Sequence, residues 1–196
     1  MENIKVIRGN YVQGSYQHLR EALDRVRGAL HFADLCETYA NEDKVNLSRW
    51  CYRASLSDFK SIFDVLPTDF RKMKLDKIWD RSPYKTQLED MPLVKVLSKA
   101  RDLAIHNTKL PGDHKEVLLH YTDENGQNQK SVNYMYINQI EENFAVKGMG
   151  NISSDDLEWF NRQSNTWPAN LLVVEAIYQS SKPISGFLSI NLKHSA

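Results

Sequence analysis

Two long stretches of amphipathic helical pattern follow one another near the start of this chain, and no other feature restricts the fold as much. From Tyr16 to about Tyr39, apolar residues recur at three- and four-residue steps: Leu19, Leu23, Val26, Leu30, Ala33 and Tyr39, with Ala22, Ala29 and Phe32 beside them. The polar run NEDKVN, Asn41 to Asn46, breaks the pattern. A second helix is predicted over Leu47 to Leu66, with Trp50, Ala54, Phe59, Ile62 and Phe63 as core residues and Pro67 after its end. An amphipathic helix is stable only with its apolar stripe buried, so the expected fold class is mainly α, a helical bundle.

The rest of the chain supplies the other elements. Residues 68–80 (TDFRKMKLDKIWD) read as a short third helix N-capped by Thr68 or Asp69. Ser82-Pro83 marks a turn, and a fourth helix runs from about Gln87 or Pro92 to His106, closed by Pro111-Gly112. EVLLHYTD, Asn125-Gly126 and QKSVNYMYI read as a β-hairpin with a two-residue turn. That register sets Leu119 opposite Val132 and Val117 opposite Tyr134. Ser153-Ser154-Asp155-Asp156 is a helix start leading into LEWFNRQ. Trp167-Pro168 opens a last apolar helix, ANLLVVEAIYQS, with Pro168 in its first turn. The reading is a helical bundle over residues 1–112, with an inserted or appended hairpin and C-terminal helices over 113–196 completing the same domain.

Composition narrows the function classes. The 196 residues carry a formal net charge of zero, so a chain-wide electrostatic footprint for nucleic acid is absent and any such contact needs a local patch. Arg81 to Lys115 is locally basic, with seven Lys/Arg against four Asp/Glu. Cys36 and Cys51 have no metal-ligand spacing and read as small core residues in a reducing compartment. With no apolar leader and no membrane-length stretch, a cytoplasmic protein without a membrane partner is expected. No Gly-rich phosphate loop, Ser/His/Asp order or paired-cysteine motif appears. His106, His114 and His120 lack an accompanying carboxylate pattern and read as loop histidines rather than metal ligands, so no metal or cofactor is expected. Tyr121, Tyr134 and Tyr136 read as sheet-packing residues.

The stretch KARDLAIHNTKLPG, Lys99 to Gly112, holds the candidate chemistry. On a wheel of about 100° per residue, Val96, Leu97, Ala100, Leu103 and Ala104 cluster around Leu93 as a core stripe. Arg101 falls at the flank of that stripe, and Ile105 is apolar beyond it. Asp102 and His106 lie opposite the core, four apart and within hydrogen-bonding reach. A solvated helix end, with His106 as a cation favoured by the macrodipole and Asn107 as a stop, accounts for the same residues.

Arg101, the polar Asp102, three residues and then His106 resemble the R-polar-x-x-x-H signature of HEPN domains, small helical bundles that include many endoribonucleases of toxin–antitoxin, phage-defence and RNA-processing systems. The resemblance covers roughly residues 16–110. A second match, Arg25 to His31, has Val26 after the arginine and fits poorly. The resemblance implies a HEPN-like bundle and an endoribonuclease using no metal, leaving a 2′,3′-cyclic phosphate and a 5′-hydroxyl. Arg101 and His106 would be catalytic, with Asp102 and Asn107 supporting. It also implies a homodimer that brings two motifs together, an RNA substrate and a cognate antitoxin or regulatory protein. Where toxins of the family often carry a modified tyrosine two residues after the histidine, this chain has Thr108. The alternative on the same fold is a non-catalytic module that binds RNA or a protein partner.

Overall fold

A computed structural model describes residues 12, 14–106, 113–122, 128–136, 152–165 and 167–192, and for residues 103–106 and the two strands the backbone alone. The architecture is mainly helical. Its most extensively paired helices, α1 (Arg20–Asn41) and α2 (Val45–Lys72), lie antiparallel along one another. Their buried faces explain the pairing. Ala22, Val26, Ala29, Ala33, Cys36 and Ala40 on α1 step by alternating fours and threes. So do Ser48, Tyr52, Ser55, Phe59, Ile62, Leu66 and Asp69 on α2. This is the 3.5-residue period at which two helices keep one continuous seam. The small side chains of α1 let the backbones come close. Ser55 Oγ donates across the seam to the Ala29 carbonyl at 2.8 Å, and Ser48 Oγ to the Cys36 carbonyl at 2.9 Å.

The same seam corrects the expectation for Trp50, which is 64% exposed. Nine residues before Phe59, it stands about 180° round the helix from the core, and Tyr52 and Leu56 are buried instead.

Both long helices end in a left-handed residue that is not glycine. Asp43 (φ 57°) and Lys74 (φ 60°) each follow the C-cap. The Lys44 N–H then reaches back to the Tyr39 carbonyl, and the Leu75 N–H to that of Phe70, both at 2.8 Å. These six-to-one bonds, with five-to-two bonds beside them, satisfy carbonyls that a helix end leaves open.

The predicted stop at Pro67 is not observed, because α2 passes through it to Lys72. Pro67 has no N–H to offer the Phe63 carbonyl, a loss that normally ends a helix. Here the turn beyond it is anchored on two sides. Phe70 is fully buried against Trp79 and Phe187, with ring centroids 4.7 Å and 5.1 Å away. Asp69, 3% exposed, accepts from the amides of Glu21 at 3.3 Å and Ala22 at 2.9 Å. Those are the second and third residues of α1, whose own Leu19 cannot cap them. The sequence offers Thr68 or Asp69 as the cap of a separate helix over 68–80. Asp69 caps α1 instead, and only Asp76–Asp80 of that stretch forms a separate helix, α3. Asp69→Ala is expected to cost about 1–2 kcal/mol, seen as a lower urea midpoint at unchanged slope; a loss under about 0.5 kcal/mol would discount the cap.

The fourth helix, predicted from about Gln87 or Pro92, starts at Pro92, and the Ser82-Pro83 turn opens a further short helix ahead of it. Ser82 Oγ accepts from the Lys85 amide, and Pro83 opens α4 (Pro83–Glu89) from the first position, where a missing N–H costs nothing. After a break at Asp90 and Met91, α5 (Pro92–His106) follows. Next come β1 (Asp113–Thr122) and β2 (Asn128–Tyr136), paired antiparallel. Their register differs from the expected one: Val117 stands opposite Val132, and Tyr134 opposite Lys115. Two residues of β1 between Val117 and His120 face one of β2, a bulge that alternation of side chains does not reveal. The connecting segment, with Asn125-Gly126, lies outside the described residues.

Helix α6 (Ser154–Ser164) starts as expected, with Ser153 Oγ accepting from the Asp156 amide at 3.1 Å. The last helix, α7 (Ala169–Asn191), outruns its predicted end near Ser180 and continues through Pro183, because Ile184, Phe187 and Leu188 beyond it are buried. Gly186 lets the Tyr84 ring lie against α7; a Cβ there would come within 2.8 Å of Tyr84 Cε1. One continuous cluster of buried residues runs from Val12 to Leu188. Among the described residues, no helix is long and apolar enough to cross a membrane.

Candidate functional site

The apolar stripe of α5 settles where its polar residues stand. Leu93, Val94, Val96, Leu97 and Ala100 are buried, and the helix packs against α2, α6 and α7. Arg101, at the flank of this stripe, is half-buried, and its Nε is enclosed without a hydrogen-bond partner. An enclosed, unbonded donor of this kind carries a penalty on the order of 1–3 kcal/mol.

Asp102 departs from the expectation that it lies opposite the core. It is half-buried, and its Oδ1 accepts from two cations: Lys60 Nζ of α2 at 2.8 Å and Arg101 Nη1 at 3.2 Å. A wheel drawn for α5 alone has no knowledge of α2, which lies along this side and brings Lys60 with it. Burial works against the charge of Asp102, yet the bonds from Lys60 and Arg101 outweigh it and hold the carboxyl below its ordinary range. Asp102 is therefore a carboxylate at neutral pH, with both cations paired to one oxygen.

The backbone of α5 stays helical through His106, so Asp102 and His106 keep their i, i+4 relation. The side chains of Ile105 and His106 lie outside the described residues, as do Asn107, Thr108 and the side chains of His114 and His120. Of the predicted set, the structure thus brings Arg101 and Asp102 into contact and adds Lys60. Nothing in the sequence marks Lys60, since it lies 42 residues from its partner on another helix.

Other chemistry in the described residues is muted. Burial pushes the Cys36 thiol up to about 12, only partly offset by its bond to the Ser48 hydroxyl, and burial also raises Cys51. Neither is a thiolate nucleophile at neutral pH. A cavity of about 400 Å³ opens between α2, α3, α4 and α5, with Phe63, Leu66, Trp79 and Val94 in its walls. The lysines at its rim are already paired, Lys85 with Asp80 and Glu89, and Lys95 with Asp90 and Asp156. At the end of α5, by contrast, two cations meet a single carboxylate. No protein-family model, curated protein or solved structure matches the chain.

Proposed function

We propose that the chain is an endoribonuclease of the HEPN type that cuts RNA with its own side chains, Arg101 and His106. The observation that supports this most is Arg101. It is a half-buried guanidinium with an unbonded Nε, on the last turns of a helix that ends at a histidine five residues on. A guanidinium stays charged at any working pH, and its planar fork matches the oxygens of a phosphate in the transition state. Histidine titrates near neutral pH and serves as acid or base.

Cleavage requires a base to take the proton from the 2′-hydroxyl and an acid to protonate the departing 5′-oxygen. The 2′-oxygen attacks phosphorus, the bond to the 5′-oxygen breaks, and a 2′,3′-cyclic phosphate remains. One imidazole does not fill both roles at once, so a two-fold homodimer supplies the second. Asn107 and a cognate antitoxin or regulatory protein belong to this same proposal, in a defence or toxin setting.

The test is product chemistry. Single-stranded RNA incubated with the purified chain in EDTA at neutral pH is expected to yield 5′-hydroxyl and 2′,3′-cyclic phosphate ends. RNA left intact under these conditions overturns the reading.

A further inference from the structure

Resting on that reading of α5, we infer that Lys60 of α2 belongs to the same site as a phosphate-binding residue for the RNA backbone, and that Asp102 occupies its donors when RNA is absent. Three observations on the structure lead there. Lys60 and Arg101 come from different helices, yet both donate to the same Asp102 oxygen, at 2.8 Å and 3.2 Å. Two cations against one carboxylate leave one net positive charge, which is the charge a single phosphodiester neutralises. Arg101 has five N–H donors and Lys60 three. The hydrogen bonds described for their charged ends go to Asp102 alone, and Arg101 Nε is enclosed with none.

The exposure of the three groups suits an exchange of partners. Lys60 and Arg101 are each 27% exposed and Asp102 is 32% exposed. They are open enough for a ligand to arrive and sheltered enough for a charge-assisted bond to hold. The two oxygens of a carboxylate resemble the two non-bridging oxygens of a phosphodiester. An incoming strand therefore replaces Asp102 on Lys60 and Arg101 without new donors having to form. The pair sits at the α2–α5 junction, one turn of backbone before His106.

The experiment measures binding, separately from cleavage. A fluorescent single-stranded RNA with 2′-O-methyl groups, which has no nucleophile to be cut, is titrated with the full chain at several salt concentrations. Lys60→Gln is expected to weaken binding about three- to ten-fold and to reduce the slope of log K against log salt by about 0.7. Lys60→Arg is expected to restore most of both. Asp102→Asn removes the competing carboxylate and is expected to tighten binding or leave it unchanged. A structural ion triad gives the opposite sign, since loss of either partner would then weaken binding alike. Three results overturn the inference: a parent chain that does not bind, Lys60→Gln with the parent's affinity and slope, or Asp102→Asn as weak as Lys60→Gln. Binding through Lys60 by a chain that leaves ordinary RNA intact keeps the phosphate site and sinks only the ribonuclease reading. Cleavage indifferent to Lys60 does the reverse.

Discussion

His106→Ala is expected to slow RNA cleavage by about 10²–10⁴-fold, the range in which a positioned acid or base contributes. His106 is the last residue of α5. Helix content should match the parent, and any stability loss should stay within the fraction of a kcal/mol that a terminal cation contributes to a helix. The measurement is single-turnover cleavage of a labelled RNA beside a thermal unfolding curve and a sedimentation profile. Cleavage at the parental rate removes His106 from the chemistry. Arg101→Lys gives an independent arm: it keeps the charge but loses the planar fork, and it is expected to fall well short of the parent.

Phe187→Ala is expected to have the largest effect on stability, about 3–5 kcal/mol. The ring is 1% exposed and meets three others edge to face, with centroids 5.1 Å from Phe70, 5.0 Å from Trp79 and 6.4 Å from Tyr84. These partners come from α2, α3 and α4, so one deletion leaves a cavity where four elements meet. For a domain with a total stability of about 5–15 kcal/mol, this is a substantial fraction. The urea midpoint should drop with little change in slope, and Phe187→Leu should lose much less. A loss under about 1 kcal/mol would mean that the cluster does not hold α7 to the bundle.

The two long helices and the start of α6 were legible because each rests on a local rule. Apolar residues recur along one strip, and Ser153 stands three residues before an amide that it can cap. What escaped the sequence depends on partners distant in the chain. Pro67 marks a stop by its own chemistry, but Phe70 and Asp69 beyond it are held by α1, α3 and α7, and that anchoring prevails. Trp50 looks like core by residue type, yet its angle round α2 faces it outward. At the candidate site, the half-buried flank position of Arg101 follows from α5 alone. The pairing of Asp102 with Lys60 does not, because it depends on which helix lies alongside.

The repeating faces of α1 and α2 pose a problem of register that Asp69 resolves. Ser48 meets Cys36 and Ser55 meets Ala29, seven residues apart on both helices. A slide of one heptad would set Ser55 against Cys36 and still match small residues with small residues. It would also carry the Asp69 carboxylate past the end of α1 to amides already bonded within the helix. A slide the other way would leave the first amides of α1 with no acceptor. Either error leaves buried polar groups unpaired, so a single aspartate at the edge of the seam tells the pair which heptad is the right one.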